Sequence, residues 1–236
     1  MDPAAARAVL AALLDAYGPQ HWWPAEGPFE VMVGAVLTQN TAWVNVERGL
    51  ERLTARLGGP AHLASEAILA LPEAELAECL RPVGYFNVKA RRLRSFCAAY
   101  LEAGGLEGLS RLDTAALRHR LLAVHGVGPE TADDMVLYAF HRPVFVVDAY
   151  TRRLGERLGL LGGSSQRRSA SSIPGVVDGQ SGYETVRHAF ERALGPDVPV
   201  FNEYHALIVR HAKEVCRTKP HCADCCLRHL CPSFAA

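Results

Sequence analysis

The chain has no excess of charge of either sign. Lys and Arg total 25, Asp and Glu total 25, and the formal net charge over 236 residues is zero. A nonspecific nucleic-acid coat would be strongly basic, so that class is disfavoured, although a local basic face is not. Lysine is nearly missing: it occurs only as Lys89, Lys213 and Lys219, and the remaining positive charge is arginine. No apolar run reaches the roughly 18 residues that a membrane span needs. The opening stretch, MDPAAARAVLAALLDAYG, lacks the basic leader of a secretion signal, and Asp15 interrupts its apolar part. It reads instead as a helix capped by Asp2, with Pro3 in the first turn. Runs of β-branched residues are few while Ala, Leu, Glu and Arg abound, which favours helices. About half of the chain, 49%, is apolar, enough to bury a full core in one or two domains.

Apolar residues recur at spacings of three and four, predicting helices near 3–17, 28–38, 42–57, 72–80, 86–103, 113–123, 129–140, 149–159, 181–194 and 199–215. The fold class expected is all-α. The most basic stretch surrounds Arg91, Arg92 and Arg94, which flank Leu93 and Phe96; a solvated helix face and a phosphate-contacting face are both open readings. Residues 161–182, rich in Ser and Gly and without helical period, are expected to form a mobile loop.

Cysteine is plentiful, with seven in the chain. Without a secretion signal this points to a reducing cytoplasm and to metal ligation rather than disulfides. Cys79 and Cys97 fall in helical patterns and read as core residues. Cys216, Cys222, Cys225 and Cys231 form a compact C-x5-C-x2-C-x5-C run. Four thiolates on one short loop suit an iron–sulfur cluster or a zinc ion.

Mid-chain, LLAVHGVGPETADDMVLYAF reads as helix, hairpin, helix. Gly126 and Gly128 allow a sharp turn and close approach of backbone to a ligand, and free N–H groups at the start of the next helix can bind phosphate. A simple helix–helix turn would look the same. Asp148 follows the run Val144, Phe145, Val146, Val147 and precedes a helical pattern. It reads as an N-cap, and a capping carboxylate is kept ionised by the helix dipole. Such a carboxylate facing a sugar could stabilise positive charge at C1′ or orient a water.

The hairpin LLAVHGVGPETAD, the aspartate about twenty residues on, GYFNVKARRL and the terminal cysteines together resemble the endonuclease III superfamily of helix–hairpin–helix DNA glycosylases. The resemblance runs from about Phe29 to Cys231. It implies two helical lobes: residues 23–124 in one, and residues 1–22 with 125–236 in the other, carrying the hairpin, the aspartate and the cysteine loop. It further implies a [4Fe-4S] cluster on the four cysteines, although the usual first spacer is one residue longer; Cys226 is an extra neighbour rather than a ligand. The implied partner is double-stranded DNA containing a damaged base, met by a monomer in the cytoplasm, DNA-associated and with no membrane role. Where bifunctional members carry lysine, in a pattern of the form GVGRKTA, this chain has Glu130. A lysine amine can form a Schiff base at C1′; a carboxylate cannot. A monofunctional glycosylase that uses water is therefore expected.

HWWPAEGPFEVMVGAVLTQNTAW, GYFNVKA and GVGPETAD resemble the 3-methyladenine glycosylase branch of the same superfamily more closely. That resemblance implies Trp22, Trp23, Pro24 and Trp43 as base-stacking candidates, with Glu130 favouring a cationic base. It also implies Gln39 and Asn40 as the residues that fill the gap left in the duplex, Asn40 aligning with the family's wedge glutamine. Trp22 and Trp23 could instead simply staple the first lobe. Two other readings stay open: a glycosylase for oxidised pyrimidines with weak or absent lyase activity, and a DNA-binding homologue that has lost its chemistry.

Overall fold

The computed structural model describes residues 1–161 and 179–234. Among them there is no β-strand, and the all-α expectation holds. Helix α1 (Pro3–Tyr17) opens where Asp2 accepts the Ala4 N–H at 3.0 Å and closes at Gly18 with φ 66°. Then come α2 (Pro28–Leu37), α3 (Trp43–Leu57), α4 (Ser65–Ala70), α5 (Glu73–Cys79) and α6 (Phe86–Glu102). After α7 (Gly105–Ser110) and α8 (Thr114–Leu122), α9 (Pro129–Asp134) runs directly into a π-helical turn over Met135–Ala139. Helices α10 (Ala149–Arg157), α11 (Gly179–Leu194) and α12 (Val198–Glu214) precede the cysteine loop. The short α4 and α7 were not foreseen, because six residues are too few to display a period of 3.6. The expected loop over 161–182 lies, from 162 to 178, outside the described residues, and helix resumes at Gly179.

The chain divides into two compact units: a middle unit, Trp23–Arg142, and a terminal unit made of Met1–Trp22 and Pro143–Ala236. The sequence placed the boundary at 124. Residues 125–142 instead belong to the middle unit, because α9 and its π turn pack on α2.

The middle unit is built around α2, in which every residue from Val31 to Leu37 is buried. A helix apolar on all sides has to be enclosed, and α6, α9 and the π turn enclose it. On α6, the buried Lys89 donates to the Leu37 carbonyl and to the Val83 carbonyl, both at 2.8 Å. It thereby satisfies the C-terminal end of α2 and the turn that follows α5. Arg118 on α8 makes a two-pronged ion pair with the fully buried Asp133 of α9, at 2.5 and 3.1 Å. The basic stretch on α6 is thus partly consumed inside the unit: Arg94 donates to the carbonyls of Leu69 and Leu71.

In the terminal unit α12 plays the same central part, with Phe201, Tyr204, Leu207, Ile208 and Ala212 buried. Helices α1 and α10 pack on it. The run Val144, Phe145, Val146, Val147 is extended and buried but has no sheet to join. Buried N–H groups need acceptors, and side chains of α11 supply them: Glu191 accepts the Phe145 N–H at 3.1 Å, and the Tyr183 hydroxyl accepts that of Val147 at 3.3 Å. The Phe145 ring stacks on Phe190 at 4.3 Å and meets Phe201 edge-on at 5.5 Å. Arg187 neutralises Glu191 and Glu184, each at 2.7 Å.

Burial, and then the neighbouring Arg92 cation, lower the Lys89 pKa from 10.5 to about 8. Below that value Lys89 is protonated both folded and unfolded. Between there and 10.5 the unfolded chain binds more protons, so stability rises with pH through this window. In Lys89→Met that rise should disappear, and stability at neutral pH should fall by about 1–3 kcal/mol from the orphaned carbonyls. Urea unfolding of both proteins across the window checks this; an unchanged rise in the variant would contradict it.

Candidate active site

Asp148 sits where the extended run meets α10, and it caps that helix: Oδ1 accepts the Thr151 N–H at 2.6 Å. Its second oxygen lies 3.7 Å from Nε2 of His205 on α12, an ion-pair distance rather than a hydrogen bond. The Asp148 side chain is 12% exposed and that of His205 is 6% exposed. Burial pushes the carboxyl pKa up, but the facing His205 and the Thr151 N–H outweigh it and hold the group below its ordinary value of 3.8. The result is a nearly dry carboxylate that stays ionised. Such a group can stabilise a developing cation strongly, because little water screens it.

In the same unit, Cys216, Cys222, Cys225 and Cys231 line one cavity of about 110 Å³, floored by Leu154, Leu158, Val215 and Leu227. Cys226 is not among the lining residues. Among the described residues no three His, Cys, Asp or Glu side chains close on one point as ligands of a single ion would. The four thiols stand around one cavity, and an all-sulfur donor set suits a soft-metal centre. The surroundings fit an anionic sulfur set. Arg157 donates to Cys216 Sγ at 3.2 Å and to the carbonyls of Arg217 and Thr218 at 2.6 and 3.0 Å. Arg153 donates to the carbonyls of Cys216 and Ala212 at 3.0 and 2.9 Å. Burial keeps His211, which also lines the cavity, neutral by lowering its pKa to about 4.

In the middle unit the hairpin turns at Gly126, φ 87°, and Gly128 caps α9 with Pro129 in its first turn. Glu130 is exposed at the start of α9. Trp23 meets Trp43 edge-on and Tyr138 at a tilt, each with centroids 5.2 Å apart. Gly34 makes this possible: a Cβ there would already touch both indoles at 3.4 Å. Trp43 Nε1 donates to Glu47 at 2.8 Å. Tyr138 lies in the π turn, a distortion that often marks functional sites.

Trp23 and Trp43 are thus brought together, with Tyr138 as a third ring. Trp22 falls with the terminal unit, and Pro24 is exposed. Gln39 and Asn40, adjacent in sequence, part company. The Gln39 amide is hydrogen-bonded inside the unit, whereas Asn40 is exposed with φ 53°. Sequence reading missed His205, Tyr138, and Arg153 and Arg157 on α10. The one signal for His205 was a histidine inside the apolar stretch FNEYHALIV. The signal for Arg153 and Arg157 was their i,i+4 spacing, which gave no hint of a partner.

The HhH-GPD superfamily of base excision DNA repair proteins matches residues 33–173 of the chain. A protein of Methanocaldococcus jannaschii named a putative DNA repair glycosylase is 42% identical over 225 residues, covering 94% of this chain and 93% of that protein. The crystal structure of an H. pylori 3-methyladenine DNA glycosylase bound to 1,N6-ethenoadenine superposes with TM-score 0.69 at 28% identity, covering 91% of this chain and 98% of that one. An endonuclease III in non-covalent complex with DNA shares the fold, with TM-score 0.77 at 22% identity over 100% of this chain and 97% of that one.

The cap and the charge of Asp148 are separable. Asp148→Ala should lower stability by about 0.5–2 kcal/mol through loss of the cap. Asp148→Asn keeps an acceptor for Thr151 and should lose distinctly less. Thermal unfolding of the two variants decides, and equal losses would contradict the capping role.

Proposed function

Because the chain belongs to the HhH-GPD superfamily of base excision DNA repair proteins and is a DNA glycosylase of that superfamily, we propose that it is monofunctional and releases cationic alkylated purines such as 3-methyladenine. The observation that carries this reading is Glu130, exposed at the head of α9. The hairpin there presents a carboxylate in place of the amine that a Schiff base requires. The lysine of the same unit, Lys89, is buried with its ammonium on two backbone carbonyls. The hairpin therefore offers no amine, and in this reading water is the nucleophile.

In this reading Asp148 is the catalytic residue. As the bond between C1′ and the base nitrogen breaks, its electron pair leaves with the base, and the sugar becomes an oxocarbenium-like cation. The ionised Asp148 stabilises that cation, and a water oxygen bonds to C1′ and releases its extra proton to solvent. A purine alkylated at N3 is already cationic, so it departs as a neutral base without a strong general acid. The rings of Trp23, Trp43 and Tyr138, together with Glu130, favour such a base. Cation–π contact contributes about 0.5–2 kcal/mol per ring, against a flipping cost of a few kcal/mol. Gly126 and Gly128 of the hairpin are assigned to the DNA backbone. Cys216, Cys222, Cys225 and Cys231 would hold a [4Fe-4S] cluster, which when bound cross-links the loop through iron–thiolate bonds. The enzyme is proposed to act as a monomer on double-stranded DNA in the cytoplasm, where the thiols stay reduced. Among the described residues no helix is long and apolar enough to cross a membrane.

Release of 3-methyladenine and of an oxidised pyrimidine, measured side by side, tests the substrate class. Preference for the pyrimidine would overturn it. Asp148→Asn should lower turnover by roughly 10²–10³-fold with DNA binding intact. Borohydride should trap no covalent product, and efficient trapping would refute the monofunctional assignment. The purified protein should contain iron and absorb broadly in the visible, and Cys225→Ala should bleach it. A colourless protein holding one zinc would contradict the cluster.

A further inference from the structure

The Gln39 amide has little capacity left for DNA. Its Nε2 donates to the Gly126 carbonyl at 2.9 Å and to Thr131 Oγ1 at 3.0 Å, and its Oε1 accepts from Arg92 at 2.5 Å. Both amide protons and one lone pair are therefore committed. The Arg92 methylenes lie flat against the hairpin: a Cβ placed on Gly126 would be 2.3 Å from Cγ and 2.8 Å from Cδ of Arg92. Gly126 is thus required twice, for its positive φ and for the room it leaves. One turn earlier on α6, Lys89 holds the Leu37 carbonyl, two residues before Gln39. Lys89 and Arg92 together fasten the turn between α2 and α3, and Gln39 fastens that turn to the hairpin. The next residue, Asn40, is exposed with φ 53°.

We propose that Arg92 and Gln39 form an internal strut that locks the Asn40 turn to the Gly126 hairpin, so that the two meet duplex DNA as one rigid face. Arg92 is then a positioning residue and not a phosphate contact. The physical reason for such a strut is mechanical. Unstacking a base costs a few kcal/mol, and a wedge can deliver that work only if its backbone does not yield while the hairpin grips the phosphates. An exposed residue on a tight turn would yield unless the turn were tied down. A guanidinium–amide bond backed by packing against glycine supplies the tie. The inference rests on the chain's being a DNA glycosylase and is independent of which lesion it excises.

The test uses the full-length, iron-loaded protein and a duplex carrying an abasic-site analogue beside a fluorescent reporter base, so that no particular lesion is required. Two quantities are read: the slope of log Kd against log salt concentration, and reporter unstacking at saturating protein. Arg92→Leu and Gln39→Leu should each leave the salt slope unchanged and lower unstacking by about 10- to 100-fold, the range for losing a hydrogen bond to a charged group. The double variant should be no worse than either single one, as expected for two members of one strut. Gln39→Glu keeps the size and the Arg92 partner but sets a carboxylate against the Gly126 carbonyl. It should remain folded and still lose unstacking, which keeps the test decisive if a leucine variant fails to fold. A fall in slope of about 0.9 in Arg92→Leu with unstacking preserved would make Arg92 a phosphate contact and overturn the strut. Additive losses, or full unstacking in Gln39→Glu, would overturn it as well. A wild-type protein that neither binds nor unstacks this duplex would overturn the DNA-processing reading itself, and the strut with it.

Discussion

The terminal unit holds a conflict: Asp148 is nearly dry and still keeps a lowered carboxyl pKa. Burial alone would protonate it. The fold resolves the conflict with two groups, the Thr151 N–H at the head of α10 and His205 on α12. The first is local, three residues along the chain, whereas the second is brought in from a helix far along the sequence. The extended run before Asp148 has no sheet to complete its hydrogen bonds, so α11 lends Glu191 and Tyr183, and the stack of Phe145 on Phe190 fixes the segment's depth. Helix α12, which carries His205, is positioned by the burial of its middle stretch from Tyr204 to Val209. A charge that a solvated loop could hold without help here requires three helices to be correctly placed.

The middle unit solves a different problem with similar means. Its central helix α2 ends inside the protein, where free carbonyls are costly, and Lys89 meets that end. The scarcity of lysine therefore acquires a structural meaning. The lysine of this unit is spent on helix termination, the hairpin carries Glu130, and amine chemistry has no obvious agent there. Arg92 and Arg94 are likewise committed to partners within the unit, while Arg91 remains exposed.

Much of this was legible in the sequence. Helices with a clear period, the capping role of Asp2 and Asp148, the glycine hairpin and the grouping of the four cysteines all follow from local pattern, and local pattern is where single-sequence reading is strong. What was not legible involves partners distant along the chain. His205 looks like any histidine in an apolar stretch until α12 is laid against α10. Arg92 reads as a solvated or phosphate-contacting charge, and Gln39 as a residue for the gap in the duplex, and neither reading shows the bond between them. The unit boundary moved from 124 to 142 for the same reason: α9 is held by its packing on α2, which no periodicity reports. Helices α4 and α7 were lost to brevity.

We propose that a buried, ionised Asp148 drives base release. The most direct test is the pH dependence of single-turnover 3-methyladenine release, with Asp148→Asn as reference. A folded-state pKa held below 3.8 predicts an Asp148-dependent rate that is flat from about pH 8 down to about pH 5, because the carboxylate stays charged throughout. An Asp148-dependent fall in rate on acidification, with a midpoint inside that range, would mean that the buried carboxyl takes up a proton there and does not act as a permanent charge.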